Sequence, residues 1–221
     1  MFRNIFNPDS PLMITMAQIT DCIFLSLLWI LCCFPLITVG ASFTAMHTVL
    51  LKMYRDDLPS LTKEYFRAFK SNFKQATLIW LLYAVCIAVM LVDYLMSAQI
   101  PDTGLRIVLQ LLPIPLVILC ITLTWVFVLL SRYQNTIRQT LKNSLLICIS
   151  RPFTTIGMIL FSLAPAVLLI FVPSITMLVV FMGITTAGYM CAVLYSRIFD
   201  QLEGTDWRKE AAKALAESMQ E

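Results

Sequence analysis

Long apolar segments alternate with short polar segments along the whole chain. A helix that crosses a bilayer needs about 20 mostly apolar residues. The pattern predicts about six such helices, joined in sequence as three hairpins, over residues 11–34, 42–54, 75–97, 106–131, 153–171 and 175–199. The fold class expected is therefore an all-α polytopic membrane bundle. No long polar segment remains for a second domain, so residues 1–221 are expected to form one membrane domain with a charged helical tail at 200–221.

The first apolar tract continues to about residue 51, which is too long for one helix rising 1.5 Å per residue through about 30 Å of hydrocarbon. Pro35 removes a backbone donor, and Gly40 permits a reversal of the chain. We therefore expect a bend formed by Pro35, Thr38, Gly40 and Ser42. Gly40 is expected to be needed for a positive φ or for close backbone approach. In the fourth span, Pro113 and Pro115 are expected to bend the entering turns.

Two polar segments between spans have the periodicity of amphipathic helices. Residues 58–74 place aromatic side chains on one face and cations on the other, and residues 133–148 repeat the pattern more weakly. Such helices lie in the membrane interface, dock under the bundle or bind a partner's groove. The candidate docking surface consists of Phe66, Arg67, Phe69, Lys70, Phe73, Lys74, Arg138 and Lys142.

The composition agrees with a membrane protein. Hydrophobic residues make up 59% of the 221 residues and charged residues 13%, about half the usual share in soluble domains. Lysine and arginine concentrate in the segments after the second and fourth spans, so both segments are expected to lie inside. This predicts a multi-pass protein of the cell membrane with both termini cytoplasmic.

Little in the sequence suggests catalysis. The chain has one histidine, and its seven cysteines form no CxxC pair; phosphate-loop, HExxH and GxSxG motifs are absent. We expect no enzyme activity, no cofactor and no metal site. The basic segments are explained by topology and by anionic membrane lipid, so no nucleic-acid partner is expected. Oligomeric state is left open by the sequence.

Four ionisable residues, Asp21, His47, Asp93 and Arg106, fall within or beside the spans. Such residues are costly in lipid and are functional candidates for that reason. For Asp21, the alternative to a functional role is a structural or interfacial one. For Asp93 and Arg106, the alternative is an ion pair across the turn between the third and fourth spans. His47 is either a packed, hydrogen-bonded residue or a proton-relay or ligand group.

Several segments resemble one known family. They are NPDSPL near the start, FPLITVGAS at the bend, FRAFKSNFKQATLIW after it, and LKNSLLICISRP at 141–152. Together they resemble the YesL-like family of small bacterial integral membrane proteins, common in Gram-positive bacteria and of unknown function. The resemblance implies an accessory role in carbohydrate uptake, beside ABC-transporter components or two-component systems. It carries over no catalytic residue, and His47 departs from the aromatic residue expected there.

Two functions follow as expectations. The first is a non-enzymatic accessory or regulatory protein whose docking surface binds an ABC-transporter permease or a membrane sensor kinase. The alternative is a small autonomous transporter or channel for a sugar-like solute, which would use broken helices near Pro35 and Pro113. Polar groups for such a solute would come from Thr38, Ser42, Thr44, Thr48, Trp80, Thr122, Thr124 and Trp125.

The predicted topology is testable by labelling in intact cells. In a background without the seven native cysteines, a cysteine at Asp102 should react with a membrane-impermeant thiol reagent, because this connection is expected outside. A cysteine at Ser71 should not react, because it follows the second span inside. Reaction at Ser71 would contradict the topology.

Overall fold

The computed structural model describes residues 11–55, 57–97, 111, 113–133, 135–172, 174 and 176–204. All regular secondary structure in these ranges is helical, and six helical stretches are long and apolar enough to cross a membrane. This confirms the all-α membrane bundle. The helices are α1 (Pro11–Cys33), α2 (Val39–Tyr54), α3 (Leu61–Met96), α4 (Pro113–Arg132), α5 (Ile137–Ser150), α6 (Pro152–Phe171) and α7 (Ile184–Glu203).

The core is built around α2. It packs against α1, α3, α4 and α7, and 56% of its span is buried, whereas the other spans are 11 to 39% buried. Its first turns carry the small buried residues Gly40, Ala41, Ser42, Thr44 and Ala45. Small residues let helices approach closely, which matters in lipid because apolar burial gives helices little reason to associate there.

The bend between α1 and α2 is held by side-chain hydrogen bonds. The Thr38 hydroxyl lies 2.6 Å from the carbonyl oxygen of Cys32 and 2.7 Å from that of Pro35, and so occupies acceptors freed where α1 ends. The Trp80 indole N–H donates to the carbonyl oxygen of Leu36 at 2.8 Å. The bend is therefore anchored to α3.

The sequence suggested that Gly40 lies at the reversal itself. In the structure α2 already begins at Val39, so Gly40 lies in the first turn of this helix. Its φ is not positive; among described glycines only Gly204, which caps α7, has a positive φ. A Cβ at Gly40 would lie 2.6 Å from the carbonyl oxygen of Ala76 and 2.8 Å from the Cβ of Trp80. Of the two expected reasons for this glycine, close backbone approach is the correct one.

The amphipathic segment after α2 is not a separate helix. It continues into the third span, and the two form the single 36-residue helix α3, about 54 Å long. The predicted break near residue 75 is wrong because no proline or glycine occurs between Leu61 and Met96. The polar segment is consequently a straight extension of a membrane helix.

The first hairpin is shorter than α3. Its bend contacts α3 at Trp80, and α3 continues from there to Met96, about 24 Å further. Val85, Val89 and Leu95 along this stretch are exposed apolar residues, as expected for a surface that faces lipid. Along the axis of α3, the bend therefore lies well short of the end of this helix at Met96.

The prolines of the fourth span lie in the first turn of α4. Pro113 is its first residue and Pro115 lies in the same turn, where a missing N–H costs nothing. The expected bend of the entering turns stays a prediction, because it depends on the residues that precede Pro113. The part of the predicted span before Pro113 lies outside the described residues, except for Leu111.

Irregular backbone occurs in the sixth span. One α-helical turn, Thr176–Leu178, leads into a π-helical segment, Val179–Gly183, before α7 begins. Thr185 follows this segment and donates from its hydroxyl to the carbonyl oxygen of Cys22 at 2.9 Å; the Ser26 hydroxyl lies 2.8 Å from the Thr185 hydroxyl. These buried hydrogen bonds fix α7 against α1. Of the predicted tail, residues 205–221 lie outside the described residues.

Replacement of Gly40 tests the close contact between α2 and α3. Gly40→Ala should lower the free energy of unfolding by about 1–3 kcal/mol, because the added methyl would meet backbone atoms that cannot move aside. Gly157→Ala is the matched control, since a Cβ there would meet only the flexible end of Leu194 at 3.1 Å. Unfolding by SDS in detergent micelles measures both; equal losses would contradict the contact.

Candidate functional sites

Ion pairs join three helices at one end of the bundle, where α2 ends and α3 begins. Glu64, only 5% exposed, accepts from the Lys52 ammonium at 2.6 Å and from the Arg67 guanidinium at 2.7 Å. Arg55 pairs with Asp200 at 2.7 Å and so joins the end of α2 to α7. A buried carboxylate is stable only with such partners. The start of α3 is therefore fixed in position.

The outward face of this start carries most of the predicted docking surface. Phe66 is 46% exposed and Phe73 is 36% exposed. Arg67, Lys70 and Lys74 are exposed beside them. Phe66 and Phe73 thus lie among the cations on one outward face, so the predicted separation of an aromatic face from a cationic face is wrong for these two residues. The opposite side of the helix is packed.

Phe69 is the exception. It is only partly exposed, packs against both hydrophobic clusters of the core, and stacks on Tyr65 with ring centroids 6.3 Å apart. Its assignment to the docking surface is corrected, because its position on α3 turns it toward α2 and α4.

The second amphipathic helix, α5, lies at the same end. Arg138 and Lys142 are exposed, whereas Thr140, Ser144 and Ile147 are buried. The Gln75 amide donates to the carbonyl oxygen of Asn135, which brings the segment before α5 next to α3. In the described part of the chain, none of the side chains of Lys63, Lys70, Lys74, Arg138 and Lys142 forms an ion pair.

The carboxylates proposed from the sequence remain outside any described cluster. Asp21 is partly exposed on α1, and Asp93 is exposed near the end of α3; neither forms a salt bridge within the described residues. Arg106 lies outside the described residues, so its pairing with Asp93 stays a prediction. The described residues also contain no group of three or more His, Cys, Asp or Glu side chains able to hold a metal ion.

His47 borders a cavity inside the bundle. One lobe of about 290 Å³ lies toward Trp80 and Phe127, and a second of about 260 Å³ lies toward Trp29 and Gly188. The two lobes share four lining residues, Phe43, His47, Ser162 and Cys191. The histidine ring also packs edge-on against Tyr195, whose hydroxyl donates to the His47 carbonyl oxygen at 3.2 Å.

Sequence reasoning missed Ser162, Cys191 and Tyr195, which complete this site. Ser162 and Cys191 are single polar side chains among mostly apolar neighbours, Tyr195 lies directly before Ser196, and no local pattern distinguishes any of the three from a packing residue. Only the packing of α6 and α7 against α2 brings them to His47. The exposed Ser162 lies three residues before Pro165, which was the only neighbouring signal.

Fold and site define a polytopic α-helical membrane protein with a basic end and a central cavity. Residues 22–94 match a family model described as "Protein of unknown function, DUF624". This segment contains most of α1, the bend, α2 and nearly all of α3, including the predicted docking residues of α3. Neither the curated proteins nor the solved structures contain a match to the chain.

The ion pairs of Glu64 allow a matched test of what holds α3. Lys52→Met should lower the free energy of unfolding by about 1 kcal/mol, because it removes a link between α2 and α3 and leaves a buried carboxylate half-paired. Arg67→Met should change it by less than about 0.5 kcal/mol, because Arg67 is 75% exposed and pairs within its own helix. Equal losses in SDS unfolding would contradict this difference.

Proposed function

We propose that this protein is a non-enzymatic membrane accessory or regulatory protein that binds the cytoplasmic part of a larger membrane protein. The observation that carries the proposal is the exposed aromatic and cationic face of α3, formed by Phe66, Arg67, Lys70, Phe73 and Lys74. Protein interfaces are enriched in aromatic residues and arginine. Two exposed phenylalanines, Phe66 and Phe73, lie among these cations, whereas attraction to anionic lipid requires the cations alone.

The rigidity of this face supports docking. α3 is about 24 Å longer than a hydrocarbon layer of about 30 Å, so its basic start extends beyond that layer. The ion pair between Lys52 and Glu64 holds it against α2. A preorganised face loses little conformational entropy on binding.

The orientation follows from charge. Lysine and arginine flank α2, α3, α4 and α5 at the same end of the bundle, which the positive-inside rule assigns to the cytoplasm. With six spans, both termini are then cytoplasmic, and the protein resides in the cell membrane.

The kind of partner rests on the resemblance to YesL-like proteins. On that basis we assign the chain to this family and propose an ABC-transporter permease or a sensor kinase of carbohydrate uptake as the partner. The match of residues 22–94 to a family of unknown function is compatible with this assignment.

Autonomous sugar transport is less well supported. Sugars need free hydrogen-bonding groups, but most of the polar side chains expected to supply them bond within the protein. The hydroxyls of Thr44, Thr122 and Thr124 each donate to a backbone carbonyl oxygen. The acceptors are those of Gly40, Leu119 and Ile121, respectively. Trp80 and Trp125 donate to Leu36 and Thr155.

A double substitution tests the docking face while keeping its charge. Phe66→Ala with Arg67→Lys should reduce recovery of the permease or kinase at least tenfold after crosslinking in native membranes, because interface energy concentrates in aromatic and arginine side chains. Recovery is measured by affinity purification and mass spectrometry. The control is Phe153→Ala, which removes a phenylalanine that is 88% exposed and lies outside this face.

Two outcomes would count against docking. If the double variant recovers as much partner as the wild type, the aromatic and arginine side chains do not contribute to binding. The face would then act only through its positive charge, which is sufficient for attraction to anionic lipid. If the wild type yields no permease or kinase and purified protein moves a sugar into liposomes, the transporter alternative replaces the proposal.

A further inference from the structure

The cavity at His47 is accessible from the side of the bundle. Cys120 on α4 and Ser162 on α6 border its first lobe and are exposed. Nearer the basic end, α4 and α6 are joined by the hydrogen bond from the Trp125 indole to the Thr155 hydroxyl, 3.0 Å long. The opening therefore lies between these two helices, within apolar stretches that face lipid. A molecule entering here comes from the membrane.

The walls exclude a charged ligand. Both lobes are lined mostly by apolar and aromatic side chains, and no lysine, arginine, aspartate or glutamate borders either of them within the described residues. A charged headgroup placed there would lose its hydration without gaining a counter-ion. Phospholipid headgroups are therefore disfavoured, and an uncharged polar group is favoured.

Most hydrogen-bond donors on the wall are already used. Thr124 donates to the carbonyl oxygen of Ile121 at 2.7 Å, the Cys191 thiol to that of Met158 at 3.6 Å, and the Trp80 indole to that of Leu36 at 2.8 Å. The Thr124 oxygen can still accept a hydrogen bond. The wall consequently offers acceptors more than donors.

His47 adds one more acceptor. The Tyr195 hydroxyl gives its hydrogen to the His47 carbonyl oxygen, and its oxygen lies 3.5 Å from Nδ1. For the neutral ring we assign the hydrogen to Nδ1, the tautomer compatible with this arrangement, which leaves Nε2 as an acceptor. Nε2 has no partner among the described residues.

One accessible donor remains for a ligand oxygen. The Ser162 hydroxyl forms no hydrogen bond among the described residues, and it borders both lobes. The Trp29 indole N–H also has no acceptor there, but its nitrogen is buried and so is not open to a ligand. A ligand that fits carries a hydroxyl to donate to His47 and a second oxygen to accept.

From these hydrogen-bonding groups and apolar walls we propose that the cavity binds an uncharged lipid alcohol of the diacylglycerol type, taken up from the membrane. Its free hydroxyl would donate to His47 Nε2, an ester oxygen would accept from Ser162, and its chains would lie against Phe43 and Phe127 and extend through the lateral opening. The two lobes together have the size of an ordinary ligand pocket, roughly 300 to 1,000 Å³. The proposal does not depend on the docking function.

Binding is measured on the full-length protein in detergent by native mass spectrometry with 1,2-dioctanoylglycerol. Two matched lipids are compared: the 3-acetyl ester of the same molecule, which lacks the hydroxyl hydrogen, and dioctanoyl phosphatidic acid, which is charged. The diacylglycerol should bind at least fivefold more tightly than either, because a hydrogen bond in a dry site contributes about 1 kcal/mol. Equal binding of all three lipids would overturn the proposal.

Variants locate the site. Ser162→Ala should weaken diacylglycerol binding about fivefold, and Thr154→Val, on the same helix but away from both lobes, should leave it unchanged. His47→Phe should weaken binding by at least as much and reduce the preference over the acetyl ester. Ser162 is exposed and its replacement should not disturb folding, so unchanged binding by Ser162→Ala is sufficient to overturn the assignment.

Discussion

The contact between the backbones of α2 and α3 at Gly40 and Ala76 is the constraint on which the rest of the structure depends. Because Gly40 has no Cβ, α2 can lie directly against α3 at this point. The contact brings Trp80 under the bend, where its indole donates to Leu36. At the other end of the pair, the same alignment brings Lys52 to Glu64. One small residue thus sets the register of the two helices along the length of α2.

This register connects the two candidate sites. One side of α2 supports the start of α3, whose outward face carries Phe66 and Arg67. Another side carries Phe43 and His47, which border the cavity. A ligand at His47 would therefore contact one side of α2, and a partner would bind the helix that packs against another side. Since α2 is the most buried of the described spans, a shift of α2 at one site is transmitted to the other.

The sequence predicted those features that depend on local pattern. Apolar length was sufficient for the six spans, and periodicity for α5. It also identified Gly40 as a special position, because a glycine in an apolar tract indicates either a positive φ or a close approach of two backbones. At residue 75 the change of polarity suggested a break, but the sequence contains no helix breaker there and α3 continues. The other failures occurred where neighbouring elements decide. Phe69 turns inward because α2 and α4 lie beside it, and Ser162 and Tyr195 meet His47 only through tertiary packing.

The continuity of α3 is tested most directly by a distance across residue 75. Spin labels are attached to ketone-bearing amino acids at the exposed positions Lys63 and Val89, so the native cysteines stay in place. Pulsed electron paramagnetic resonance in nanodiscs then gives the distance between the two labels. A single straight helix places the two backbone positions about 39 Å apart, with a narrow distribution. A helix lying in the membrane surface and turning into a span near Gln75 would give about 28 Å, and that result would contradict a rigid docking face.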